Sequence, residues 1–189
     1  MMNKKNFSSS YSQNNFDIVF KKICGAVKPE SILEIGLLDG YSLKSFVDHS
    51  SEDTKIIGVD LFEGYEYKNA NFEYIKTMFS SNKNVEIVHG DFYSYYKNSD
   101  NFDIIHIDIS NDGDTYRFSI ENYLPITNRV LILEGGSEER DSVHWMTKYQ
   151  KPKITEFLNS IESDIQYQTI ELFPSITIFN KTNQQIDFM

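Results

Sequence analysis

Hydrophobic positions in this chain follow two alternating rhythms. Phe16, Val19, Phe20, Ile23 and Val27 recur at helical spacing, and that run stops before Pro29. Ser31–Ile35 is a short apolar block that predicts a buried strand, and Leu43, Phe46 and Val47 give the next segment a helical apolar face. The pattern then repeats. Ile56–Val59 predicts a second strand, Phe72, Ile75, Met78 and Phe79 a helix, and Val85–Val88 a third strand that runs into His89-Gly90-Asp91. Asp103–Ile107 predicts a fourth strand ending at Asp108. Ile120, Tyr123 and Leu124 mark a helix closing near Pro125, and Val130–Leu133 a fifth strand ending at Glu134. Strands alternating with helices predict an α/β fold, a doubly wound sheet that is mostly parallel.

The last third breaks the alternation. Ile154, Phe157, Leu158 and Ile161 predict one more helix. Gln166–Phe173 and Ser175–Asn180 then read as strands separated only by Pro174, a hairpin-like pair at one sheet edge. Residues 1–15 are rich in Ser and Asn and carry no apolar period. They read as a flexible N-terminal segment, with Tyr11–Asn15 as a candidate lid. A single domain is expected over 16–183, with 184–189 as a C-terminal tail.

Composition narrows the function classes. With 189 residues, 40% hydrophobic and 24% charged, the chain can bury a sizeable core. A net charge of −10 argues against a nucleic-acid backbone or an anionic membrane as main partner, and leaves a small-molecule substrate and a homodimer open. Cys24 is the only cysteine, which fits a reducing compartment. No apolar run reaches membrane-spanning length and the N-terminus lacks a signal-peptide core, so a soluble cytoplasmic protein is expected.

The chemistry collects where strands end. Glu34, Asp60, Asp91, Asp108 and Glu134 each close one of the five predicted parallel strands. In an open parallel sheet, ligands bind in the crevice beyond those carboxyl ends. A single such acid is often a helix cap or faces water. Five in succession point to a site. The stretch Glu34-Ile35-Gly36-Leu37-Leu38-Asp39-Gly40-Tyr41-Ser42 has the form of a cofactor loop between a first strand and its helix, and Asp60 follows about twenty residues on, where a ribose-binding carboxylate belongs. No Lys-Ser or Lys-Thr pair follows, so this is not a phosphate-cradling loop. A dinucleotide and an adenosine-type cofactor both remain.

Glu34-Ile35-Gly36 followed by Gly40-Tyr41-Ser42 resembles the first motif of class I S-adenosylmethionine-dependent methyltransferases, and in particular the small bacterial O-methyltransferases that tailor sugars and natural products. Gly58-Val59-Asp60 resembles the second motif, Gly90-Asp91-Phe92 the third, and Phe102–Asp108 the fourth. Ile120–Pro125 followed by Val130–Glu134 resembles the helix and fifth strand of that branch. The resemblance runs from Ile32 to Asn180. It implies a Rossmann-like seven-stranded sheet with an antiparallel C-terminal strand, and S-adenosylmethionine as cofactor. Glu34, Gly36, Gly40 and Ser42 would surround its methionine part. Asp60, with Leu61 beside it, would take the ribose hydroxyls, Asp91 and Phe92 the adenine, and Asp108 would complete the pocket. Leu38 stands where many relatives carry a glycine, and Thr127-Asn128-Arg129 where many carry Gly-Gly.

On the catalytic side, the resemblance implies transfer to an oxygen, less readily a nitrogen, of a small polar acceptor. A sugar or nucleotide-linked sugar in surface-polysaccharide or natural-product biosynthesis is the expected class. Asp108 and Glu134 match two metal ligands of the metal-dependent relatives, so Mg²⁺ is a candidate, although Gly135 replaces the third, an Asn. Asn111 stands where sugar-tailoring relatives carry a histidine base. Asp108, Glu134 and His106 are therefore the candidate catalytic groups, with a satisfied core histidine as the competing reading of His106. Arg140 reads either as an acceptor-binding cation or as part of a solvated loop. Two other readings stand beside these: an NAD-dependent Rossmann dehydrogenase, for which Tyr93-x-x-x-Lys97 mimics a known pair, and a non-catalytic cofactor-binding partner subunit.

Overall fold

The computed structural model of the chain describes residues 7–64, 70–161 and 165–182. β1 (Ser31–Ile35) lies between β2 (Lys55–Asp60) and β4 (Phe102–Ile107) and runs parallel to both. β3 (Val85–His89) extends the sheet beyond β2, and β5 (Thr127–Glu134) flanks β4. β7 (Ile176–Asn180) is antiparallel to β5 and to the edge strand β6 (Tyr167–Ile170), so the order is β3-β2-β1-β4-β5-β7-β6. This is the expected seven-stranded sheet with its antiparallel C-terminal strand. β6 is shorter than the sequence pattern indicates. Pro174 offers no N–H to a ladder, and Ser175 N donates instead to Leu172 O (2.6 Å), closing a turn where strand was expected.

The period-two alternation of each strand feeds two cores. Ile32, Ile104, Val130 and Ile132 pack on one face, against α2 (Asp17–Val27), α3 (Tyr41–His49) and α4 (Phe72–Met78). Leu33, Ile35, Ile105, Ile107, Leu131 and Leu133 pack on the other, against α5 (Phe92–Tyr95), α6 (Gly113–Asn122) and α9 (Ile154–Ser160). Between β5 and α9 the chain forms two short helices, α7 (Glu138–Asp141) and α8 (His144–Lys148). No described helix is long and apolar enough to cross a membrane.

The N-terminal expectation needs correction. Ser9 caps the short α1 (Ser10–Gln13), and Tyr11 is only 1% exposed, packed among Phe16, Phe20 and the ring of His106. Asp39, in the loop after β1, accepts hydrogen bonds from Ser8 N (2.5 Å), Ser8 Oγ (3.0 Å) and Ser9 N (3.0 Å). One buried aromatic ring and one carboxylate thus hold residues 8–11 against the domain, where a flexible segment was expected. The sequence showed no period there because a single side chain supplies the anchor. Residues 1–6 of that expectation and the tail at 184–189 lie outside the described residues.

The strand order sets the position of the site. After β1 the chain builds outward through β2 and β3, then returns to lay β4 on the opposite side of β1. That reversal opens a crevice at the carboxyl ends of β1 and β4. Gly36, at φ +89°, makes the reversal possible: a β-carbon there would sit 1.9 Å from the carbonyl oxygen of Asp108. Gly36→Ala is therefore expected to destabilise the protein by about 2–4 kcal/mol in denaturant unfolding. Gly25 lies in α2 with nothing within 4 Å of its would-be β-carbon. Gly25→Ala is expected to stabilise by about 0.5–1 kcal/mol. Equal effects at the two positions would contradict the proposed contact.

Candidate functional site

A cavity of about 410 Å³ opens at the β1/β4 reversal. Four loops supply its wall, one after each of the strands β1 to β4, and Lys151 closes it from the segment between α8 and α9. Of the site residues expected from sequence, Gly36, Asp60, Leu61, Asp91, Phe92 and Asp108 all line it. Leu38, Leu61 and Tyr93 are exposed apolar side chains on the same wall, available to cover a flat ring.

Backbone and side-chain donors hold three of the wall's four acids. Asp60 Oδ2 accepts from Leu37 N and Oδ1 from Phe62 N, both at 2.7 Å, so this carboxylate ties the β1 and β2 loops together while keeping lone pairs for a ligand. Asp91 caps α5, accepting from Tyr93 N (3.3 Å) and Ser94 Oγ (3.2 Å). Asp112 forms a capping box with Thr115 at the start of α6 and an ion pair with Lys151 at 3.0 Å. Asp108 has no such support. Burial, reinforced by the charges of Glu134 and Glu34, raises its carboxyl well above the usual range, and Arg140 opposes the shift only in part.

Glu34, Gly40, Ser42, His106 and Glu134 do not reach the cavity wall. Glu34 is fully buried under it, where its Oε1 accepts from Ser42 Oγ and pairs with His106 Nδ1 at 3.2 Å. Its Oε2 is buried with no partner. Ser42 is thereby turned toward Glu34, and Gly40 (φ +82°) serves the start of α3, packed against Ile75, Met78 and Phe79. His106 is enclosed by Phe20, Phe46 and Tyr11, whose hydroxyl lies 3.3 Å from Nε2. It is a satisfied core histidine, and its candidacy as a base is withdrawn.

The Mg²⁺ expectation fails on the donor set. Both oxygens of Glu134 are taken by Arg140, Oε1 from Nε at 2.5 Å and Oε2 from Nη2 at 2.9 Å. Among the described residues no group of three or more His, Cys, Asp or Glu is placed to hold a metal ion. Arg140 is itself 5% exposed, so the solvated-loop reading of its segment is also corrected. Burial pushes the Glu134 carboxyl upward against the opposing effect of Arg140, and burial works against the charge of Arg140 while Glu134 holds it up. Sequence reasoning missed Lys151, and it read Tyr11 as the start of a candidate lid rather than as an anchor. Both act across long sequence separations, and neither lies in a motif.

Comparison with known proteins bears on this geometry. A family model described as a methyltransferase domain matches residues 33–133. The S-adenosylhomocysteine-bound methyltransferase PaMTH1 of Podospora anserina is 15% identical, with a TM-score of 0.68 over 95% of this chain and 84% of that one. The O-methyltransferase of Bacillus cereus, in complex with S-adenosylhomocysteine, is 16% identical, with a TM-score of 0.63 over 93% and 84%. TomG of Streptomyces achromogenes, an O-methyltransferase of tomaymycin synthesis in complex with S-adenosylmethionine, is 16% identical, with a TM-score of 0.65 over 92% and 81%. No curated protein sequence matches the chain. At such identities the structures speak for the fold, and the family model, which spans more than half of the chain, speaks for descent. The chain belongs to the methyltransferase-domain family.

Proposed function

We propose that this protein binds S-adenosylmethionine in the β1/β4 cavity and transfers its methyl group to an oxygen of a small polar acceptor. The observation that carries this reading is the convergence of Gly36, Asp60, Asp91, Phe92 and Asp108 on one cavity. Asp60 would take the ribose hydroxyls, and Phe92 with Leu61 would lie along the adenine. When bound, the cofactor supplies a methyl group on a positively charged sulfur.

Charge favours this cofactor over a dinucleotide. The wall carries Asp60, Asp91, Asp108 and Asp112, and its one lysine is already paired with Asp112. A pyrophosphate would be repelled there, whereas a sulfonium and an ammonium would be attracted. The dehydrogenase-like pair does not form either: Tyr93 lines the cavity, while Lys97 Nζ sits over the ring of Tyr96 at 5.8 Å.

Asp108 is the group we assign to the acceptor's proton. In methyl transfer the acceptor oxygen forms a bond to carbon as the carbon–sulfur bond breaks, and the hydroxyl proton must go to a base. A carboxyl whose proton affinity is raised by burial and by Glu134 and Glu34 is suited to receive it. A sugar hydroxyl, free or nucleotide-linked, is the acceptor class proposed, on the strength of the sequence resemblance to sugar-tailoring enzymes.

Two outcomes test these assignments. Calorimetry should show S-adenosylhomocysteine binding that Asp60→Asn weakens by about 10–100-fold, with no binding of NAD(H). NAD(H) binding alone would overturn the cofactor assignment. Asp108→Asn should keep that affinity yet lower transfer to sugar acceptors by about 100-fold or more. The same change should raise the melting temperature of the cofactor-free protein at neutral pH, by about 2–4 °C for each 1 kcal/mol of relieved repulsion. The sign follows from linkage: a carboxyl whose folded-state proton affinity is raised costs stability as pH rises from its unfolded value through its folded one. A lowered melting temperature would contradict the proposed electrostatics.

A further inference from the structure

The carboxyl end of β5 carries a cationic group that the proposed transfer has not yet used. Arg140 holds both oxygens of Glu134 and also reaches Asn111 O from Nη2 at 3.3 Å. The two side chains are 6% and 7% exposed. Stability alone gives little reason to bury them, because a pair of apolar side chains of similar volume commonly serves a core as well or better. The guanidinium is also held rigidly. Asp141, the next residue, accepts from Ile154 N (2.9 Å), Thr155 N (2.9 Å) and Thr155 Oγ1 (2.6 Å), which locks α7 onto α9. Trp145 lies against the guanidinium with its ring 5.0 Å from Cζ.

Two further observations give this cation a direction. Arg140 acts electrostatically on Asp108, the acid on the cavity wall, as well as on Glu134. Its Nη1 is buried with no partner, so one donor of the fork is unspent in a place where donors are ordinarily satisfied. Gly135, with φ +106°, supplies no side-chain ligand beside Glu134.

Resting on the methyltransferase reading above, we infer that Arg140 is the built-in cation of this site: its guanidinium fills the electrostatic place of a divalent ion beside Glu134 and Asp108, and keeps such an ion out. The arrangement fits the chemistry of its parts. A divalent ion needs carboxylate oxygens turned toward it, and a guanidinium forked onto both oxygens of Glu134 competes for their lone pairs and sets a like charge where the ion would sit. A guanidinium also keeps its charge at any working pH and cannot be lost by dilution or chelation.

Mn²⁺ is the probe, its free concentration followed by electron paramagnetic resonance in the presence of S-adenosylhomocysteine. The wild-type protein is expected to leave Mn²⁺ free up to about 1 mM. Arg140→Lys, which keeps the charge, is expected to do the same. Arg140→Gln, provided its S-adenosylhomocysteine affinity stays within about 3-fold of wild type, is expected to take up one Mn²⁺ through the released carboxylates. Saturable uptake by the wild type that Glu134→Gln abolishes would overturn the inference, and so would an Arg140→Gln protein that binds S-adenosylhomocysteine normally but no Mn²⁺. If Arg140→Gln does not fold, the wild-type titration and its Glu134→Gln control decide by themselves. Failure of the wild type to bind S-adenosylhomocysteine would count against the methyltransferase reading instead, and the Mn²⁺ titrations of cofactor-free protein would still decide the inference.

Discussion

The backbone of Gly36 runs so close to the carbonyl of Asp108 that no β-carbon fits between them, and the rest of the site depends on that approach. Gly36 N reaches Val59 O at 2.9 Å and Asp108 N reaches Ile35 O at 2.8 Å, so the ladders on both sides of β1 continue one residue past the strand before the loops part. With these two ends fixed, the Asp60 carboxylate can bridge to Leu37, and the crevice opens where the strand order reverses. A bulkier residue would have to push β1 and β4 apart, and the cavity would lose its floor before it lost any single ligand contact.

Charge is the second constraint. Glu34, Asp108 and Glu134 come together under one rim, and a low-dielectric setting strengthens their mutual repulsion. The protein answers in three ways. Glu34 leans on Ser42 and His106, Glu134 is neutralised by Arg140, and Asp108 is left exposed to its neighbours. The proton-accepting role proposed for Asp108 would set function against stability there, a common feature of sites that must hold a proton or a cationic ligand.

Much of this was legible in the sequence. The parallel strands could be read because each is a short apolar block running into an acid, and the acids that line the cavity, Asp60, Asp91 and Asp108, could be read because they follow the strand ends. Local pattern failed where one residue acts over a long sequence distance. Tyr11 anchors a polar N-terminal segment through a single buried ring, and Lys151 reaches the cavity from a connection with no motif of its own. Arg140 could be read as a cation near the site, but not as the partner of Glu134. That pairing depends on the turn from β5 into α7, capped by Ser137, whose side chain accepts from Arg140 N. Gly40 ends the loop and Ser42 lies in the first turn of α3, and their work lies in helix packing and in holding Glu34. Loop position alone could not separate those roles from ligand contact.

A crystal structure of the protein with S-adenosylhomocysteine is the most direct test of the central claim. The ribose hydroxyls should lie within hydrogen-bond distance of Asp60, and the adenine between Leu61 and Phe92. A ligand bound elsewhere, or one whose ribose avoids Asp60, would contradict the proposal that these strand-end acids form a methyl-donor site.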